Sequence, residues 1–388
     1  MDSGELMALD FPSSPVADQV FSPPGVPGTY IYQSGAWRKG PKGTADRKNR
    51  LVNPAMQVNQ LNVDVAGADI AGANVTNYYM ADQWQCVTAS SGVTATTQSR
   101  IFENGKYKLQ YNVTTGGTIT ATKYMQFTQK IEGFRVADLN WGTAAAQPVV
   151  FRFSFSGPAG TYTIGVQDIV AATRSWVENF TVRADQANQD LEFQFYIPGC
   201  PDGTWATDTA IGMLVFVTLF LNSAAVTPAG AWAAGLFHGV AVSSIVPVGT
   251  WKLWDVGLYA DPNKTGRAPE FETGRYDDDL EECQRYFYRA YGARGVVQSA
   301  TTQWYAHVSN QNPTPMRIPP VFILSTPKPE MFDGTTAAQP LSSIGSVVNS
   351  KLNTQGNYIV SNATNVIGRL GIFQYTADDA YVGVDARM

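Results

Sequence analysis

Val149-Val150-Phe151-Arg152-Phe153-Ser154-Phe155 is the stretch that decides the fold. Successive side chains of a strand point to opposite faces. Val149, Phe151, Phe153 and Phe155 therefore share one face, and Arg152 and Ser154 share the other. One face is built to be buried and the other to carry polar groups, which is the signature of a half-buried strand.

Working outward, similar segments recur. The spacing predicts strands over 107–113, 123–131, 161–167, 178–183, 190–197, 211–221 and 250–259. Each is short, and most are bounded by Gly, Pro, Asn or Asp. The most apolar run, 210–221, is shorter than the roughly 20 residues a membrane helix needs. Its β-branched and aromatic content reads as a buried strand, so no membrane insertion is expected. No long helical periodicity interrupts this series. The pattern predicts an all-β, antiparallel jelly-roll sandwich over 51–275.

Two segments flank it. Residues 1–50 carry Pro12, Pro15, Pro23, Pro24, Pro27 and Pro41, so an extended segment is expected. One hairpin is predicted within it, Thr29–Tyr32 against Ala36–Arg38. A basic cluster follows at Arg38, Lys39, Lys42, Arg47, Lys48 and Arg50. It reads either as a docking surface for an acidic partner or as a solvated linker. Residues 276–388 are expected to hold a short helix at about 277–291 and then a C-terminal β region. Asp277, Asp278 and Asp279 suit the helix N-terminus. Leu280, Cys283, Phe287 and Tyr291 form its apolar stripe. Further strands are predicted at 295–307, 316–325, 343–349, 356–361, 365–374 and 380–384.

Composition sets limits on function. Hydrophobic residues are 44% and aromatic residues 12% of the 388, enough to build a core and to exclude a disordered chain. Charged residues are only 15% and the net charge is -5, which offers no general attraction for nucleic acid. Cys86, Cys200 and Cys283 are too few and too scattered for a disulfide framework or a C-x-x-C metal site, and a reducing assembly compartment such as a bacterial cytoplasm fits. The opening Met1-Asp2-Ser3-Gly4-Glu5 has neither a basic nor an apolar region, so no signal peptide is expected.

Catalytic signatures are missing. His238 and His307 are the two histidines, and neither lies in H-E-x-x-H. His238 reads as a satisfied core histidine and His307 as a structural or contact residue. G-x-S-x-G is absent, and Pro41 stands where a phosphate loop needs lysine. Glycoside hydrolysis needs two carboxylates across a cleft. Asp255, Asp261, Glu270 and Glu272 are available, but sequence does not pair them. Asp255 and Asp261 lack calcium-loop spacing as well. No catalytic residue, metal or cofactor is assigned.

Sugar binding needs less. An aromatic face stacks on the C–H surface of a pyranose, and nearby amides and hydroxyls take the sugar's OH groups. Trp84, Trp141, Trp205, Trp232 and Trp304 are the tryptophans to weigh. Trp205, in Gly199–Trp205, and Trp232, in Ala229–Trp232, sit in loop-like contexts and come first as glycan-binding candidates. Trp304, in the aromatic strand Gln303–His307, comes next.

The stretch Trp251–Tyr288 carries a resemblance. Trp254-Asp255-Val256-Gly257-Leu258, Pro269-Glu270-Phe271-Glu272 and Leu280-Glu281-Glu282-Cys283-Gln284-Arg285-Tyr286-Phe287 resemble a signature of bacteriophage tail-fibre and related virion-fibre proteins. Tyr79–Trp84 and Met125–Ile131 are similar to early strands of the same domain. Pro315–Pro320 and Tyr375–Ala380 are similar to its terminal β region. Where the family often reads V-Q-L-E, this chain has Val256-Gly257-Leu258-Tyr259. The resemblance implies a carbohydrate-binding-module-like jelly roll in a virion appendage, often trimeric, assembled in the host cytoplasm. Tyr30, Tyr32, Trp37, Arg38 and Lys39 become the candidates for docking onto other virion proteins. The expected function is a tail or collar fibre binding host-surface glycan. A collar, neck, head or baseplate fibre whose partners are virion proteins is the alternative, and a polysaccharide depolymerase the third reading.

Overall fold

The computed structural model describes residues 45, 47–61, 75–88, 94–119, 124–171, 174–222, 225–240 and 243–290. Elsewhere it describes short strands, most of them by backbone alone. The chain divides into two compact units. The first comprises residues 1–56, 65–80 and 84–273, and the second 57–64, 81–83 and 274–388.

The first unit is a β-sandwich. In chain order, β1 is Ala68–Asp69, β2 Val75–Ala81, β3 Trp84–Thr88, β4 Thr94–Glu103, β5 Lys106–Thr115, β6 Tyr124–Glu132 and β7 Val149–Ser156. Then come β8 Gly160–Gln167, β9 Arg174–Val182, β10 Leu191–Ile197, β11 Ile211–Leu221, β12 Ala233–Ala234 and β13 Gly249–Ala260. One sheet has the order β12-β9-β8-β11-β6-β3-β2, and the other β10-β7-β13-β5-β4-β1. The main pairings are antiparallel. From β6 onward the chain alternates between sheets: β7 lies in the second, β8 and β9 in the first, β10 in the second, β11 in the first and β13 in the second. This alternation is jelly-roll wiring.

The core follows from the alternation. Phe151, Phe153 and Phe155 of β7 are at most 1% exposed. Burying each contributes about 1.5–3 kcal/mol. Phe153 meets Phe180 of β9 in the opposite sheet, ring centroids 5.3 Å apart. Two hydrogen bonds also cross the core: Trp251 Nε1 donates to the Tyr162 hydroxyl at 2.9 Å, and the Tyr111 hydroxyl donates to the Gln126 carbonyl at 3.0 Å. Burial pushes the Tyr162 phenol up to about 12. β11 is buried along nearly its whole length. Both faces of its sheet are covered, because Leu214 and Phe216 pack with Val177 under Ile169 and Val240. That double burial explains the continuous apolar run.

The second face of the β7 sheet is covered too. Val150 and Tyr259 pack with Ala45. The Asn49 side chain accepts the Leu258 N–H at 3.1 Å. Arg50 is buried and reaches Asp138 through two nitrogens, at 2.9 and 2.8 Å. Residues 45–56 are thus seated in the sandwich unit, whereas the sequence reading ends the N-terminal anchor at residue 50. The predicted hairpin is present: Tyr30–Gln33 pairs with Ala36–Lys39, and Val20–Phe21 adds a third strand. The prolines at 12, 23, 24, 27 and 41 lie outside the described residues.

In the second unit, helix α1 spans Tyr276–Gln284. It is shorter than the predicted 277–291. Phe287–Ala290 instead forms a strand paired with Val382–Asp385. The run Tyr286-Phe287-Tyr288 has strong strand preference, and a partner strand is available, so tertiary pairing overrides the helical spacing. Of the predicted stripe, Cys283 and Phe287 are fully buried and Leu280 is partly exposed; Tyr291 lies outside the described residues. The predicted strand 295–307 is two strands, Val296–Ala300 and Gln303–Val308, paired with each other.

Candidate functional site

Register places four connections at one end of the sandwich. Glu132 of β6 pairs with Ile211 of β11. Val149 of β7 pairs with Ile197 of β10. Gln167 of β8 pairs with Ser175 of β9 and with Leu214 of β11. The 133–148 and 198–210 connections therefore leave from this end. β12 returns there by pairing Ala234 with Arg174 and Ala233 with Ser175.

Three tryptophans from three of these connections meet. Trp141 and Trp205 have ring centroids 4.8 Å apart at 82°. Trp141 and Trp232 are 5.2 Å apart at 79°, and Trp205 and Trp232 are 5.7 Å apart at 81°. Each pair is edge-to-face, the arrangement the indole quadrupoles favour. Trp141 is 7% exposed, while Trp205 and Trp232 remain half-buried. The two loop tryptophans singled out from sequence thus stand together on a buried third.

The rings are fixed by their own N–H groups. Trp141 donates to the Gln147 carbonyl at 2.6 Å, Trp205 to the Asp202 carbonyl at 3.1 Å and Trp232 to the Pro198 carbonyl at 2.9 Å. Local backbone makes the approach possible. Gly142 has φ +86, and a Cβ there would stand 2.8 Å from the Gly203 carbonyl oxygen and 3.3 Å from Trp205 Cδ1. Gly142 N–H donates to the Cys200 carbonyl at 2.8 Å, tying the first two loops together. Arg174 clamps the second loop: its Nε meets Asp202 Oδ1 at 2.6 Å and a terminal nitrogen meets Oδ2 at 2.7 Å. That guanidinium holds the Asp202 carboxyl below its usual range. Burial pushes the Cys200 thiol up to about 11, so it carries no thiolate at neutral pH.

The other singled-out residues fall elsewhere. Trp304 lies on Gln303–Val308, which belongs to the second unit; its side chain and that of His307 lie outside the described residues. Trp84 is a core residue, 1% exposed, donating to the Asn53 carbonyl. In the N-terminal sheet, Trp37 packs on Tyr32 at 5.4 Å and on Phe21 at 5.8 Å. Tyr30 is half-buried and Arg38 exposed; the Lys39 side chain lies outside the described residues. His238, expected in the core, is half-buried, stacked on Tyr124 at 4.0 Å with Nδ1 3.1 Å from the Gln126 amide.

Of the carboxylates considered for hydrolysis, Glu270 is exposed and the other three are individually engaged. Asp255 lies at a bulge in β13 and pairs with Lys106. Asp261 is saturated by its own turn, accepting from Thr265 N–H and hydroxyl at 2.9 Å and from Gly266 N–H at 2.7 Å. Glu272 pairs with Arg47 at the surface. Among the described residues no three His, Cys, Asp or Glu side chains group in a way that would hold a metal ion. No helix of the described residues is long and apolar enough to cross a membrane.

No family model matches this sequence, and no curated protein matches it. Solved structures do. The enzymatically active domain of tailspike protein 4 of bacteriophage CBA120 is 12% identical over 55% of this chain, with TM-score 0.28, and the match spans only 21% of that chain. TmCBM61 in complex with beta-1,4-galactotriose is 9% identical over 55% of this chain and 99% of its own, with TM-score 0.26. A CBM4 structure is 15% identical over 53% of this chain and 100% of its own, with TM-score 0.27. At such identities and TM-scores nothing about the ligand or role of this chain follows from them.

Proposed function

We propose that this chain is a glycan-binding fibre subunit of a bacteriophage virion, and that Trp205 and Trp232 form its sugar-stacking platform. The observation that carries the binding reading is the tryptophan cluster. Two half-buried indoles rest on a buried third, and all three N–H groups are spent on backbone carbonyls. A single exposed tryptophan is ordinary; two held by a third at a loop end are not needed to close the core. Because the rings are already fixed, a ligand meets little ordering cost on binding. The arrangement supplies contact surface rather than a nucleophile or an acid–base pair, so the activity is recognition without turnover.

The virion setting is supported by the resemblance over Trp251–Tyr288 and by the aromatic and basic N-terminal segment. A homotrimer with several fibres per virion raises a weak single-site affinity by avidity. The structural alternative, a collar, neck, head or baseplate fibre, is favoured by exposed apolar residues away from the platform: Ile245 is 67% and Val248 65% exposed. A glycan array with the purified protein tests the binding reading. Binding that disappears in the Trp205→Ala and Trp232→Ala variants supports it; no binding at adhesin densities sinks it. Light scattering at micromolar concentration tests the trimer, and a monomer contradicts it.

A further inference from the structure

Glu178 on β9 carries a carboxylate that the protein leaves half-used. Its strand neighbours Trp176 and Phe180 are buried, 2% and 5% exposed. Alternation turns Glu178 to the same inner face. Oε1 accepts the Asn179 N–H at 3.1 Å. Among the described residues Oε2 has no donor, and no Lys, Arg or His pairs with the group. Burial raises its pKa above the ordinary carboxylate range.

The free oxygen adjoins the platform segment. A Cβ on Gly230 would stand 3.3 Å from Glu178 Oε2. Gly230 donates its N–H to the Val177 carbonyl at 2.9 Å and lies two residues before Trp232. A second polar group on this inner face is also unsatisfied: Trp176 Nε1 is buried without a partner. Across the sandwich, half-buried Phe193 and Phe195 of edge strand β10 pack on Phe180 at 4.7 and 6.3 Å. The cation beside the platform, Arg174, is committed to Asp202 through two nitrogens.

We propose that Glu178 is the acceptor subsite of the Trp205–Trp232 platform, its free Oε2 taking a hydroxyl or ammonium proton of the bound sugar. The site then prefers neutral or amine-bearing glycans to carboxylate-bearing ones. Glu178 is half-buried, so its free oxygen is partly desolvated yet reachable, and a ligand donor there makes good part of the lost hydration. A uronic or sialic acid instead brings a like charge beside an already desolvated carboxylate. The inference rests on the platform reading of the tryptophans.

The experiment has three glycan arms: neutral β-linked gluco- and galacto-oligosaccharides, partly deacetylated chito-oligosaccharides, and oligogalacturonate with sialyl-lactose. The strongest binder is then titrated calorimetrically into the full chain and into the Glu178→Gln, Trp205→Ala and Trp232→Ala variants, with folding checked by circular dichroism. The acidic arm is expected to bind at least about tenfold more weakly than the best of the others, and Glu178→Gln to lose about tenfold. An acidic glycan as strongest binder, or Glu178→Gln binding like the parent, overturns the inference. If Trp232→Ala loses binding while Glu178→Gln keeps it, the acceptor role alone fails. If no glycan binds, or if neither tryptophan matters, the platform reading fails and the acceptor role with it.

Discussion

The indole of Trp205 stands edge-to-face on that of Trp141, with ring centroids 4.8 Å apart and planes at 82°. The half-buried ring rests on a buried one, and neither lies on a strand of the sandwich. Loop residues ordinarily vary in position. Here the position is set by a chain of contacts that begins in the core: the 133–148 connection returns to β7, and Trp141 is held to it through the Gln147 carbonyl. Surface and stability are therefore coupled at Trp141 and separable at Trp205 and Trp232.

That coupling predicts a split among three alanine variants. Trp205→Ala and Trp232→Ala should each lose about tenfold or more in glycan affinity, with only a small fall in melting temperature. Trp141→Ala should lose affinity and also about 3–5 kcal/mol of stability, because it empties a buried site. Calorimetric titration paired with denaturant melts reads both quantities. Equal destabilisation by all three would mean the cluster is core and not platform.

The Arg174–Asp202 pair predicts the reverse split. Both groups are partly exposed, at 24% and 57% of their side chains, so solvent screens the pair and it adds little to folding. It does, however, hold the loop whose Asp202 carbonyl orients Trp205. Arg174→Ala should leave the melting temperature within a few degrees and weaken glycan binding several-fold. The sign with pH follows from the depressed Asp202 carboxyl. Its contribution is present above the ordinary carboxylate pKa and is lost as pH falls through the lower, folded value. The platform should thus keep its affinity down to about pH 4 as far as this pair is concerned. A loss of affinity near pH 6 in the parent but not in Arg174→Ala would contradict that.

The sandwich was legible because β7 alternates strictly and β11 is an unbroken run rich in β-branched and aromatic residues. β7 and β11 coincide with the segments read from pattern to within a residue. β4 escaped that reading. Thr94-Ala95-Thr96-Thr97-Gln98-Ser99-Arg100 carries no apolar alternation, and the strand exists because β5 pairs with it along its length. The same limit applies at the site. Loop context and residue type pointed to Trp205 and Trp232, but nothing local says that three separate connections bring them onto Trp141. That depends on register between β6, β8, β9 and β11. Glu178 was hidden for a related reason: on an alternating strand a single acid reads as solvent-facing, and only the parity of Trp176 and Phe180 turns it inward.

His238 predicts acid sensitivity of the fold. Burial lowers its pKa to about 4, against 6.5 when free. The Gln126 amide donates to Nδ1, which keeps the ring neutral in the folded state. Between those two values the unfolded chain binds more protons than the folded one, so stability rises with pH there. The contribution is complete above about pH 6.5 and falls away toward pH 4, by up to about 3 kcal/mol. Urea melts at pH 7, 5.5 and 4 should show this slope, and His238→Gln should flatten it. A parent whose stability is constant over that range would refute the assignment.

The seating of residues 45–56 predicts where an N-terminal truncation begins to cost stability. Removing residues 1–43 takes away the hairpin with Tyr30, Tyr32, Trp37, Arg38 and Lys39 but leaves Ala45 against Val150 and Tyr259. Such a chain should melt like the parent and, on the docking reading, fail to join the virion. Removing residues 1–50 also deletes Asn49, which caps the Leu258 N–H, and the buried Arg50, which bonds the exposed Asp138 carboxylate. The Asn49 side chain also donates to the Val256 carbonyl at 3.0 Å. Loss of buried hydrogen-bond partners costs about 1–3 kcal/mol each, so the longer deletion should be less stable by several kcal/mol. Denaturant melts of the two truncations separate anchor from fold. If both melt alike, residues 45–50 contribute nothing to the sandwich; if the shorter deletion still incorporates into particles, the docking role of the N-terminal sheet is wrong.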